Sequence, residues 1–69
     1  MKLSARNQLA GTVVSVTRGP VTSLVKLDVG GQHITATLTT EAADDLGLTV
    51  GSNATAIFKA SAVILGVEE

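Results

Sequence analysis

Apolar and polar residues alternate along most of this chain, and a period of two marks strands with one covered face. From Leu9 to Thr17 the run is rich in Val and Thr, and simple alternation puts Val14 and Val16 on one face with Val13, Ser15 and Thr17 on the other. Arg18-Gly19-Pro20 ends it, because proline has no N–H to give a ladder. Val25, Leu27 and Val29 then alternate with Leu24, Lys26 and Asp28. After Gly30-Gly31, Ile34, Ala36 and Leu38 alternate with His33, Thr35, Thr37 and Thr39. A Gly-Gly link between two alternating runs predicts a two-residue hairpin, since both positions accept positive φ.

The period changes at Thr39-Thr40, where a hydroxyl stands ready to cap the stretch Glu41-Ala42-Ala43-Asp44-Asp45-Leu46 and Gly47 offers a stop. This predicts a helix of about two turns, too short to persist without packing. After a turn at Val50-Gly51-Ser52-Asn53, a fourth strand is expected over 54–59 and a fifth over 62–67. The expected fold is all-β: a five-stranded OB-fold-like Greek-key barrel with one short helix between strands 3 and 4. An SH3-like barrel is the main competitor, disfavoured because its helical element falls between the last strands.

The last two strands break the one-sided pattern. Ala54, Ala56, Phe58 and Ala60 share a face with Ile57 on the other, and Val63, Leu65 and Val67 oppose Ala62 and Ile64. A strand apolar on both faces wants cover on both, and a small barrel supplies it on one. Composition sharpens this. The chain has 69 residues, 45% hydrophobic but 1% aromatic, with no cysteine. A single domain over 1–69 is expected, and domains of this size bury only about 60% of their unfolded surface. Disulfides being excluded, association with further copies is the expected support.

Charge and residue types exclude several functions. Five Lys and Arg against six Asp and Glu, with no Trp or Tyr, supply neither the basic excess nor the stacking platforms of a nucleic-acid module. One His and no Cys leave few general bases or strong nucleophiles, so an enzyme is not expected. No apolar run reaches the length of a membrane span, and the start lacks a signal-peptide core, so a soluble cytoplasmic protein is expected. Asp44-Asp45 reads as a solvated helix face, and His33 as an outward strand residue rather than a metal ligand.

Nine Thr and five Ser make hydroxyls the commonest polar groups. Hydroxyls beside one or two cations can surround a small oxyanion without overneutralising it, although Thr is also an ordinary strand residue. Arg6 lies in Ser4-Ala5-Arg6-Asn7-Gln8 and Lys59 in Lys59-Ala60-Ser61, each at a strand end beside hydroxyls and backbone N–H groups. Thr39 and Thr40 open the short helix, whose N–H groups favour anions. Taken singly, a solvated arm arginine and a snorkelling lysine explain Arg6 and Lys59 better than an anion site does.

At Ser4-Ala5-Arg6-Asn7-Gln8-Leu9 followed by Gly11, and again at Ile57-Phe58-Lys59-Ala60-Ser61, the sequence resembles the molbindin (Mop) family of molybdate-binding proteins. Thr39-Thr40-Glu41-Ala42 and Leu46-Gly47-Leu48 continue the resemblance over nearly the whole chain. It implies an OB-like domain assembling as a hexamer, a trimer of dimers, with molybdate or tungstate held between subunits as an intracellular store and no organic cofactor, nucleic acid or membrane involved. It places one side of the main site on Ser4, Ala5, Arg6, Asn7, Lys59, Ala60 and Ser61, and the other on Thr39, Thr40 and Ala42 of a second subunit. Members often carry Ser where this chain has Ala42, so one hydroxyl donor is absent. A second oxyanion site is associated with the turn Arg18, Gly19, Pro20, Val21, Thr22 and Ser23. The alternatives left open are an OB-fold nucleic-acid-binding module and a purely structural or regulatory oligomerisation module.

Overall fold

A computed structural model describes residues 2–68. Four antiparallel strands, β1 (Asn7–Arg18), β2 (Thr22–Val29), β3 (Gln32–Thr39) and β4 (Asn53–Phe58), form one sheet in the order β3-β2-β1-β4, and helix α1 (Thr40–Asp45) joins β3 to β4. The hairpin is as the glycines demand: Val29 pairs with Gln32, and Gly30 and Gly31 take φ of 58° and 88°, both in the left-handed region that a tight primed turn requires.

Helix α1 begins and ends on local chemistry. The Thr39 hydroxyl accepts from the Ala42 N–H at 3.1 Å as N-cap. At the other end Gly47 N donates to Asp44 O and Leu48 N to Ala43 O, the paired bonds of a Schellman stop. Ala43 is fully buried and is the side chain by which the helix packs against the sheet.

Two expectations are corrected. Val14 and Val16 do not share a face. In the β1–β2 ladder Val13 opposes Leu27 and Ser15 opposes Lys26, so Val14 is an extra residue, a bulge. The inserted residue inverts the alternation beyond it, which lets Val13 and Val16 both face inward and leaves Val14 exposed. The buried core is Val13, Val25 and Leu27, with Val16, Val29, Ile34, Leu38, Leu48, Ala54 and Ala56 packed around it.

The second correction is the fifth strand. After β4 a 3₁₀ turn spans Ala60–Ala62, and residues 63–68 belong to no strand. The curled sheet has four strands instead of five, with β3 and β4 as its edges. Between them the inner face is open as a cavity of about 860 Å³ lined by Val25, Leu27, Ile34, Leu38, Ala56 and Phe58, among others. The apolar pattern that suggested a strand is present, but a strand exists only where a neighbour accepts its hydrogen bonds. Among the described residues no helix is long and apolar enough to cross a membrane.

Candidate functional site

The ladder registers decide where each candidate residue stands. Asn7 pairs with Phe58 as the last pair of β1 and β4. The positions just beyond are Arg6 and Lys59, so both cations come to the same end of the sheet, with Ser4, Ala5, Ala60 and Ser61 continuing from the two strand ends. Gln8 Nε2 donates to Ala5 O at 3.2 Å and holds the entering segment in place. Among the described residues the one ion pair is elsewhere, leaving Arg6 and Lys59 without a carboxylate partner. Like charges brought together at a sheet end repel; an anion between them reverses the sign of that term.

Thr39 lies at the opposite end. It pairs with Thr22, next to the Arg18–Ser23 pair that ends β1. The twelve residues of β1 separate the two ends, on the order of 30 Å of strand. One chain therefore cannot bring Arg6 and Lys59 to the same small ion as its own Thr39.

What the structure does join is the helix entry and the turn between β1 and β2, the residues assigned to two separate sites by resemblance. Thr40 Oγ1 donates to Gly19 O at 2.7 Å and lies 2.7 Å from Ser23 Oγ. Each hydroxyl has one proton, so Ser23 must be the donor to Thr40. Thr40 N donates to Val21 O and Gly19 N to Thr22 O, while Pro20 fixes the turn's tip. Arg18 Nη2 meets Asp44 Oδ1 at 2.6 Å, both side chains half exposed, a contact worth about 0–1 kcal/mol that ties helix to turn. The protons of Ser23 and Thr40 are thus spent within the fold, and so is the Ala42 N–H. The Thr39 hydroxyl only accepts as cap, and its proton remains to donate outward.

These contacts were not readable from the sequence. Ser23 is 1% exposed, yet nothing local distinguishes it from the other strand hydroxyls, and its partner is seventeen positions away. Asp44 read as a solvated carboxylate, and only the closeness of the turn to the helix gives it a partner. Replacing Thr40 by Val removes the donor to Gly19 O and the acceptor for buried Ser23 at once. Unsatisfied buried groups make this cost about 1–3 kcal/mol. Urea unfolding at fixed protein concentration measures it, and an unmoved midpoint would show the chain of hydroxyls to be inessential.

Exposed His33 pairs across the ladder with Asp28, and among the described residues no group of three or more His, Asp or Glu could hold a metal cation. The polar groups left unengaged are the cations at one end of the sheet and the Thr39 hydroxyl proton at the other.

A curled antiparallel sheet with a single short helix between its third and fourth strands, cationic at one end, defines a small OB-like domain. Residues 3–65 match the TOBE domain family. The chain is 48% identical over 69 residues to the probable molybdenum-pterin-binding protein of Haemophilus influenzae, covering 99% of this chain and all of that one. It is 56% identical over 68 residues to the molybdenum transport protein ModE of Herbaspirillum seropedicae, covering 97% of this chain but only 25% of that protein. It superimposes with a TM-score of 0.93 and 49% identity on the molybdate-bound cytoplasmic molybdate-binding protein ModG, over 99% of this chain and 49% of that one. The chain belongs to the molbindin (Mop) family.

Proposed function

We propose that this chain binds molybdate, or the similar tungstate ion, between subunits of a homo-oligomer, and that it serves as a cytoplasmic store of the oxyanion without performing chemistry on it. The observation that carries the reading is the division of the candidate residues. Arg6 and Lys59 stand together without carboxylate partners at one end of the sheet, and the outward proton of Thr39 stands at the other. A dianion placed between two copies would meet two cations from one and a hydroxyl from the next. Backbone N–H groups of the Ser4–Asn7 and Lys59–Ser61 segments can supply remaining hydrogen bonds, including the one that a serine at Ala42 would have given.

Support also comes from relatives: the ModG structure contains molybdate, and the matched Haemophilus protein is named for a molybdenum compound. A hexamer is the assembly expected from the family resemblance. The test is molybdenum analysis of protein purified from molybdate-supplemented cells, paired with native mass. Stoichiometric molybdenum in an oligomer is the expected result. A metal-free monomer would overturn the reading, and a metal-free oligomer would leave only an oligomerisation module.

A further inference from the structure

Three hydroxyls meet where the turn between β1 and β2 touches the entry of α1, and of these Thr39 alone keeps its proton for an outside group. Buried Ser23 gives its proton to Thr40 Oγ1 across 2.7 Å. Thr40 is half-buried and sends its own proton to Gly19 O, also at 2.7 Å. Its backbone N–H donates to Val21 O at 2.8 Å. Residue 40 is therefore held at backbone and side chain together by a turn distant in sequence. Thr39, the residue before it, is exposed, and its Oγ1 accepts from Ala42 N at 3.1 Å.

We propose that Thr40 is a positioning residue for oxyanion binding: through its bonds to Gly19 and Ser23 it fixes the direction of the Thr39 hydroxyl, and it does not itself touch the ion. The inference rests on the reading of Thr39 as a ligand-facing group given above. A hydroxyl has one proton, and that of Thr40 is committed to Gly19 O, so a direct contact would turn only lone pairs toward a dianion. Thr39 is otherwise secured by its ladder pairing with Thr22 and by the exposed cap bond, and a six-residue helix is too short to hold its own first turn. The further tie between helix and turn, Arg18 to Asp44, joins two half-exposed side chains and is weakened by solvent screening. The buried hydroxyl chain is the firmer of the two ties.

Direction matters because a hydrogen bond weakens steeply once its angle is lost. With residue 40 released, the backbone of Thr39 is fixed from the β3 side only, and its hydroxyl no longer aims at one place. The residue types separate this effect from simple destabilisation. Serine at position 40 keeps the hydroxyl, whereas valine keeps the shape and loses it, which strands the buried Ser23 donor. Alanine at position 23 removes that stranded group, and replacing both partners of a hydrogen bond by apolar groups is far less costly than removing one. The pair of changes therefore returns stability without returning the side-chain tie to Gly19.

Molybdate titrations by calorimetry on the full chain, paired with urea midpoints at one protein concentration, test this. Thr40→Val should weaken molybdate binding about fivefold, the size of one neutral hydrogen bond, and Thr40→Ser should bind as wild type does. Ser23→Ala combined with Thr40→Val should recover much of the urea midpoint while its affinity stays low. On a Thr39→Ala background, itself weakened, Thr40→Val should cost no further affinity, because nothing is left to position. Wild-type affinity in Thr40→Val, a loss that persists in Thr40→Ser, affinity that returns with the midpoint in the Ser23→Ala pair, or a full added loss on the Thr39→Ala background would each overturn the proposal. Thr39→Ala at wild-type affinity would overturn the reading of Thr39 itself, a failure distinct from the other four.

Discussion

Arg6→Ala and Lys59→Ala are each expected to weaken molybdate binding by about ten- to a hundredfold in calorimetry, because each removes a charge-assisted hydrogen bond worth about 1.5–3 kcal/mol. The expectation follows from the register, which delivers both cations to the same sheet end beyond the Asn7–Phe58 pair. Neither is held by a carboxylate there, so removing one leaves no internal partner stranded and the fold should survive. The double variant should lose more than either single one, since neither cation is then left to offset the two negative charges. Lys26→Ala is the control. It removes the same charge from the exposed outer face of β2, and equal weakening there would attribute the effect to net charge instead of to the site. Undiminished affinity in both Arg6→Ala and Lys59→Ala would sink the site assignment.

The largest effect on folding is expected from Leu27→Ala. Leu27 is 4% exposed at the middle of β2 and packs with Val13 and Val25 in a core of three aliphatic residues with no aromatic. Truncating such a side chain costs about 2–5 kcal/mol, and a domain of this length has on the order of 3–10 kcal/mol in total. The variant should therefore lose a large part of its stability, read as a fall in urea midpoint at one protein concentration, since association contributes too. The Lys26→Ala variant, one position away but facing solvent, should shift by no more than about 0.5 kcal/mol. A Leu27→Ala midpoint equal to wild type would refute the role of this cluster in holding the sheet together.

Helix, hairpin and four of the five expected strands were legible because their causes are local. Gly30-Gly31 needs positive φ, Thr39 needs only the N–H three residues on, and Gly47 needs only the last carbonyls of α1. The Val14 bulge was not legible, since an extra residue is defined by the partner strand. Nothing in Val13-Val14-Ser15-Val16 states that Leu27 and Lys26 will be its neighbours. The tail shows the same limit from the other side: Val63 to Val67 have the composition of a strand, but no edge of their own chain receives them.

For the candidate site the division is similar. Residue types and segment resemblance picked out Arg6, Lys59 and Thr39 as groups suited to an oxyanion. They could not say that Thr40 and Ser23 would spend their protons on each other and on Gly19, or that Arg18 would meet Asp44.

By itself the sequence determined the elements, their order, the family and the chemistry of the groups available, all properties of short segments or of composition. The tertiary structure alone decided that the cations and Thr39 stand at opposite ends of β1 and that the sheet is open between β3 and β4 with an apolar tail left exposed. Those are facts of register and closure, set by hydrogen bonds between residues far apart in the chain. They sort a list of suitable side chains onto two separate ends of one sheet.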